Sequence, residues 1–248
     1  MKKLIIIWFF FTSLSLSNTI TIAVAANVSY AISDLTTAFN ALYTQTKVQV
    51  VLGSSGKLTA QISNGAPYHL FMSANMKYPK ALYEKHIAIT KPVVYAKGSL
   101  AYLSTKPLDI SKGMAFVLSA SVKKIAVGNP KTAPYGIATK EALQSAKLYN
   151  AIESKLIFAE SISQTVSYTV RATNLGFVAK SALFSPKMKK YKKGLNWVEV
   201  DPKLYSPIEQ GIVILKKAKG NSEVKAFYDF MLSSKAKEIL KKFGYIVK

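Results

Sequence analysis

Cysteine is absent from the 248 residues. No disulfide can staple this fold, and no thiolate can bind a metal or attack a substrate, so stability has to come from packing. Histidine is nearly absent too. His69 and His86 are the only two, too few for a zinc centre without cysteine. Acidic residues are scarce, at 12 against 34 Lys and Arg, for a net charge of +22. No tract rich in glutamine, proline or glycine suggests disorder. What remains is apolar: half of the residues are hydrophobic, enough to fill one large core or two smaller lobes.

The N-terminus reads as a secretory leader. Met1-Lys2-Lys3 is a basic start, and residues 4–11 form an apolar run too short to span a bilayer. Ser15-Leu16-Ser17 places small residues where a signal peptidase looks, so cleavage is expected after Ser17. An uncleaved anchor is the alternative. No cysteine follows the run, so a free periplasmic protein is expected rather than a lipid-anchored one. Cleavage would remove Lys2 and Lys3 and leave the remainder close to +20.

Beyond the leader, strand and helix patterns alternate. Residues 19–25 are β-branched and apolar, as a buried strand is. Residues 28–43 carry apolar side chains at Val28, Ala31, Ile32, Leu35, Ala38, Phe39 and Leu42, which is helical spacing. Residues 48–52 and 69–73 read as strands, with helices opening at Lys57 and near Lys77. A second block repeats this: strands at 124–127, 156–158 and 174–178, with helices over 137–148 and 166–171. Strand–helix alternation implies parallel sheets covered by helices. Residues 96–103 and 211–215 look like extended crossovers, and 224–243 reads as one amphipathic helix packed back on the first lobe. The expected architecture is two α/β lobes, residues 18–98 with 207–248 and residues 99–206, flanking a cleft.

Four strand-to-helix turns carry small or polar residues: Ala25-Ala26-Asn27, Gly53-Ser54-Ser55-Gly56, Pro134-Tyr135-Gly136 and Glu160-Ser161-Ile162-Ser163. A helix start leaves unpaired N–H groups and a partial positive charge. Ligands of open α/β sheets bind at these carboxyl ends of strands. Taken singly, each turn is explained as well by helix capping. Two from each lobe facing a cleft would make a nest of neutral donors for an anion.

The order of these segments is similar to periplasmic molybdate-binding proteins. The similarity lies in Ala25-Ala26-Asn27, Gly53-Ser54-Ser55-Gly56-Lys57-Leu58 and Gly65-Ala66-Pro67-Tyr68-His69-Leu70-Phe71-Met72-Ser73-Ala74. It continues in Ala126-Val127-Gly128-Asn129-Pro130, Pro134-Tyr135-Gly136 with Lys140-Glu141-Ala142-Leu143, and Val224-Lys225-Ala226-Phe227-Tyr228, and so covers essentially the whole mature chain. The resemblance implies an α/β, two-lobed periplasmic binding protein fold of type II with two hinge crossings. It also implies capture of molybdate or tungstate, without any cofactor, for delivery to the permease of an ABC importer in the inner membrane. A monomer is expected. Carried over by position, the oxyanion would meet Asn27, Ser55, Tyr135 and the backbone N–H of Ile162, with Ser54 and Ala26 beside them. Some members have Ser at position 27, Ala at 135 and a ligand-touching Tyr at 179, where this chain has Ala179. The resemblance then implies that the Tyr135 phenol replaces the one missing at Ala179. Glu160 borders this set, either as an acceptor for a protonated anion or as a carboxylate favouring a helix start.

Three other readings compete. Ser54-Ser55-Gly56-Lys57 fits the S-x-x-K nucleophile pattern of an exported serine hydrolase, but Ser121-Val122-Lys123-Lys124 fits it as well, and neither S-D-N nor K-T-G accompanies them. The basic run at residues 186–193 could suggest nucleic acid, yet no nucleic-acid motif attends it and a periplasmic address removes the partner. Capture of another small anion, sulfate or phosphate, uses the same kind of helix-start site.

Overall fold

The computed structural model describes residues 18–107, 109–173 and 175–247. The expected leader, residues 1–17, lies outside them, as does Asn174 at the start of one expected strand. The chain opens with β1 (Asn18–Ala25), α1 (Ile32–Asn40), β2 (Thr46–Gly53), α2 (Ser55–Ser63), β3 (Leu70–Met72), α3 (Lys77–Glu84) and β4 (Val93–Gly98). It then crosses to β5 (Leu100–Ser104), β6 (Ile125–Gly128), α4 (Pro134–Ser145), α5 (Tyr149–Ile152), β7 (Leu156–Ala159), α6 (Ile162–Tyr168), β8 (Leu175–Ala179) and β9 (Trp197–Glu199). It returns through β10 (Ile208–Ile214), α7 (Ser222–Leu232) and α8 (Ser234–Lys242).

These strands make two five-stranded mixed sheets, in the orders β2-β1-β3-β10-β4 and β7-β6-β8-β5-β9. In the first, Ile20, Ile22 and Val24 point to one face, where they meet Leu35 and Phe39 of α1, Phe227 and Phe230 of α7 and Leu240 of α8. Ala23, Phe71 and Val213 point to the other and meet Leu58, Ile62 and Leu82. The period of two along β1 therefore fills two cores at once. In the second sheet Tyr102, Ile125, Val127 and Phe177 pack against Ala138, Ala142 and Leu143 of α4. Ala101, Leu103 and Val178 back onto Val166, Met188 and Trp197.

Register sets the ends of the parallel strands. Ala25 is paired with Gly53 and Val24 with Met72, so β1, β2 and β3 finish level. Gly128 is paired with Ala159, so β6 and β7 finish level in the other sheet. The helix starts that follow are therefore gathered rather than scattered.

Three expectations need correction. Residues 211–215 are not a crossover. Gly211–Ile214 lies inside β10, hydrogen-bonded between β3 and β4, and a strand covered on both faces has to be apolar throughout. The chain returns between β9 and β10 instead, over residues 200–207, which include a short 3-10 turn at Pro202–Leu204. The tail is two helices, because Ser233 takes an extended conformation and its hydroxyl caps α8 by accepting from the Ala236 N–H at 3.4 Å. Finally, the pattern from Val28 begins as a 3-10 turn, Ala26–Tyr30, and becomes α-helical only at Ile32.

Phe39 is fully buried, with its ring centroid 4.6 Å from Tyr43, 5.0 Å from Phe227 and 5.6 Å from Phe230. Phe39→Ala is expected to cost about 3–5 kcal/mol, measurable as a lowered urea midpoint with an unchanged slope.

Candidate anion site between the lobes

A small cavity of about 10 Å³ lies between the sheets, lined by Ala25, Ala26, Asn27, Ser54, Ser55 and Ala74 from the first and by Ala133, Pro134, Tyr135 and Ile162 from the second. All six residues expected at the site line it. Larger hollows lie on the surface, one beside Lys106, Lys123 and Lys124 and another along Val93, Val94 and Ile246. Neither gathers helix starts. No Lys, Arg, Asp or Glu is among the residues lining the small cavity.

Each wall is built from an unfinished helix end. At α2, Ser54 is the cap: its hydroxyl accepts from the Lys57 N–H at 3.4 Å, and its carbonyl accepts from Leu58. The Gly56 N–H leaves for the Thr132 carbonyl at 2.9 Å. The Ser55 N–H, first in the helix, has no acceptor within it. The Ser55 hydroxyl, 1% exposed, accepts from the Ala74 N–H at 2.9 Å, which leaves its own hydrogen to donate. At α4, Pro134 occupies the first position and has no N–H, so Tyr135 carries the first free amide. At α6, Ser161 caps Gln164, and the Ile162 N–H is left free.

The structure revises two individual roles. The Ser54 hydroxyl donates across the cleft to Glu160 Oε1 at 2.7 Å, so its hydrogen is not available inside the cavity. Glu160 is exposed and does not line the cavity; its carboxylate ties one lobe to the other. The Tyr135 phenol accepts from Gln210 Nε2 at 3.3 Å and lies against the backbone of Gly98, where a Cβ would overlap it. The phenol is thus engaged on the hinge side, and the backbone N–H is what Tyr135 can bring to the cavity. Burial pushes its hydroxyl pKa well up, so it stays neutral. Ala179 is buried and does not line the cavity.

Asn27, with no exposure, sits at the centre of a network that sequence patterns did not reveal. Its Nδ2 donates to Gln210 Oε1 at 2.8 Å and to the Tyr245 hydroxyl at 2.9 Å. Its carbonyl accepts from Tyr245 and from Ser181, each at 2.9 Å. Tyr95 donates to Gln210 Oε1 at 2.8 Å. These partners come from β4, β10, the C-terminus and the turn after β8, with sequence separations of up to 218 residues. No local motif could have announced them.

The hydrolase pattern finds no support. Lys57 is exposed, and Ser54 meets its backbone N–H. His69 spends Nδ1 accepting from the Thr21 N–H at 2.9 Å, and His86 lies in an exposed turn. Among the described residues no group of His, Asp and Glu could hold a metal ion.

Residues 20–246 match the family model of the bacterial extracellular solute-binding proteins. This chain belongs to that family. It is 34% identical to the molybdate-binding protein ModA of Rhodobacter capsulatus, over 90% of this chain and 86% of that one. Its identity to ModA of Azotobacter vinelandii is 35%, over 90% and 88%. The solved periplasmic molybdate-binding protein of Azotobacter vinelandii superposes with a TM-score of 0.84 at 30% identity, covering 92% of this chain and 99% of that one. Members of the family are binding components, not enzymes, and the two-lobed periplasmic binding protein fold of type II is theirs.

The lobes are closed on the cavity. Besides Ser54 with Glu160, the Gly56 N–H meets the Thr132 carbonyl, and a Cβ on Gly56 would stand 2.9 Å from Thr132 Cα and 3.0 Å from its oxygen. Those neighbours are backbone and cannot turn aside. Gly56→Val is therefore expected to hold the lobes apart. Its anion affinity should fall by about tenfold or more, one lost charge-assisted hydrogen bond or its equivalent. Its melting temperature without ligand should stay near wild type, and small-angle scattering should report a larger radius with ligand present.

Proposed function

We propose that this chain captures molybdate or tungstate in the cavity between its lobes and delivers it from the periplasm to the permease of an ABC importer. The single observation that carries the reading is a buried cavity edged by neutral donors, in a chain related throughout to molybdate-binding proteins. Molybdate and tungstate are tetrahedral dianions that only accept hydrogen bonds. The Ser55 hydroxyl and N–H and the amides of Tyr135 and Ile162 supply donors without a fixed cation. Asn27, Ala26 and Ser54 complete the wall. Helix starts favour the negative charge further. Hydrogen phosphate brings a proton that needs an acceptor, and a site short of acceptors rejects it.

The two lobes, 18–98 with 207–248 and 99–206, hinge at Ser99 and over residues 200–207. The cavity is completed by one chain's own lobes, which supports action as a monomer. The leader-like N-terminus and the family's extracellular character support export. The exposed lysines at residues 187–193 include Lys193, paired with Glu199 at 2.9 Å. The excess positive field steers a dianion toward the cleft.

Calorimetry on the dialysed protein with molybdate, tungstate, sulfate and phosphate in turn tests the ligand. Tight binding of the first two alone is expected. Binding of sulfate or phosphate alone would replace the ligand and keep the site. Ser55→Ala should lose about 1.5–3 kcal/mol of binding, and Asn27→Asp or Ser55→Asp should abolish it by setting a carboxylate against the dianion. Unchanged affinity in all three would move the site elsewhere. Stopped-flow association should slow as salt is raised from low to physiological levels, and a salt-independent rate would remove the steering role.

A further inference from the structure

Among the described residues, one buried side-chain polar atom is left without a partner, Asn27 Oδ1. Asn27 lines the cavity, and its nitrogen is held on the hinge side by Gln210 and Tyr245. The oxygen is therefore the end left toward the cavity, where it would oppose a dianion. An unpaired buried acceptor costs free energy even with no ligand present.

Rotating the two amides of Asn27 and Gln210 by half a turn each removes the conflict. Oxygen and nitrogen exchange places in both. Gln210 Nε2 then donates to Asn27 Oδ1 and to the Tyr95 hydroxyl across the contacts now seen at 2.8 Å, and the Tyr95 hydrogen gives up the Gln210 acceptor it now has, a cost the bound anion offsets. The Tyr135 hydroxyl donates to Gln210 Oε1 across the contact now at 3.3 Å. Tyr245 turns its hydrogen from the Asn27 carbonyl to Asn27 Oδ1 across the contact now at 2.9 Å, and the carbonyl keeps its bond from Ser181. Asn27 Nδ2 is delivered to the cavity, and no carboxamide atom is left unpaired once an anion accepts from it. The network thus has two directions, one with an acceptor facing the cavity and one with a donor. Three phenols surround Gln210. Burial raises the pKa of all three, so each stays neutral and able to serve in either direction.

We infer that Gln210 is the positioning residue that makes Asn27 a donor: an anion entering the cavity reverses the Asn27–Gln210 amide pair, and Gln210 then holds the asparagine nitrogen toward it. Gln210 does not line the cavity. It sits in β10, at the irregularity in the β10–β4 pairing between Gln210 and Gly211, and the same side chain contacts Tyr135 of the other lobe. The reversal therefore joins the ligand residue, the hinge-side strand and the second lobe in one chain of hydrogen bonds. It also fits the anion class. With the donor turned inward, the cavity presents no carboxamide or carboxylate oxygen, which suits an oxyanion carrying no proton. This inference rests on the oxyanion reading above.

Gln210→Glu and Gln210→Met test it, with molybdate titrated calorimetrically into folded protein between about pH 8 and about pH 6. An ionised glutamate cannot donate. It accepts from Asn27 Nδ2 and locks the oxygen toward the cavity, so binding at the upper pH should be about tenfold or more weaker than wild type. The titratable groups in contact with position 210 are the phenols of Tyr95, Tyr135 and Tyr245. Burial among them raises the glutamate pKa, and the protonated acid can donate to Asn27 Oδ1. Affinity of Gln210→Glu should thus recover as pH falls, while wild type stays flat. Gln210→Met keeps the volume without any donor; it should bind about tenfold more weakly at every pH. General damage to packing would not produce recovery in one variant alone. Wild-type affinity in Gln210→Met, or a flat profile for a folded Gln210→Glu, would overturn the inference. Should Gln210→Glu fail to fold, the affinity of Gln210→Met decides. Wild-type protein that binds none of the four anions would remove the oxyanion reading and this inference together; wild type that binds, with variants that match it, removes the inference alone.

Discussion

Helix starts at a buried point impose the constraint on which the rest of the structure turns. The first amides of α2, α4 and α6 have no acceptor in their own helices, and a buried N–H without a partner is costly. Some are satisfied internally, as Gly56 is by Thr132 and Lys57 by Ser54. The amides of Ser55, Tyr135 and Ile162 are not, and they line one cavity with the Ser55 hydroxyl. Such a cavity wants an acceptor-only guest. Closure brings the donors of both lobes onto one cavity.

Neutrality of the site matters as much as its donors. The chain carries a large positive excess, yet no lysine or arginine lines the cavity. A fixed cation would bind any anion strongly and discriminate little. Dipoles and hydroxyls discriminate by geometry and by protonation state, since each donor must find a lone pair. The carboxylate of Glu160 is held outside the cavity by its bond to Ser54, where it links the lobes.

The network behind Asn27 shows why a binding residue is more than its own side chain. An asparagine can present a donor or an acceptor, and its neighbours choose. Gln210, Tyr95, Tyr135 and Tyr245 are buried polar groups whose cost is offset only while each is paired. They come from both lobes, and from positions as far apart as 95 and 245. The closed form is therefore held by a polar cluster as well as by the latch contacts at the cleft mouth.

Much of this was legible in the order of residues alone. Alternating strand and helix periods pointed to two α/β lobes. Ala26, Asn27, Ser54, Ser55, Tyr135 and Ile162 stand at turns whose chemistry is local, since capping and helix starts depend on neighbours within four residues. The apolar run Gly211–Ile214 fits a crossover and a central strand equally well in sequence; sheet order β3-β10-β4 decides between them. The roles of Ser54 and the Tyr135 phenol were equally undecidable, because Glu160 and Gln210 lie 106 and 75 residues away. Local periodicity and turn chemistry determine which elements form and where their open ends fall. Which hydrogen each polar group has left to give depends on partners brought together only by the tertiary structure.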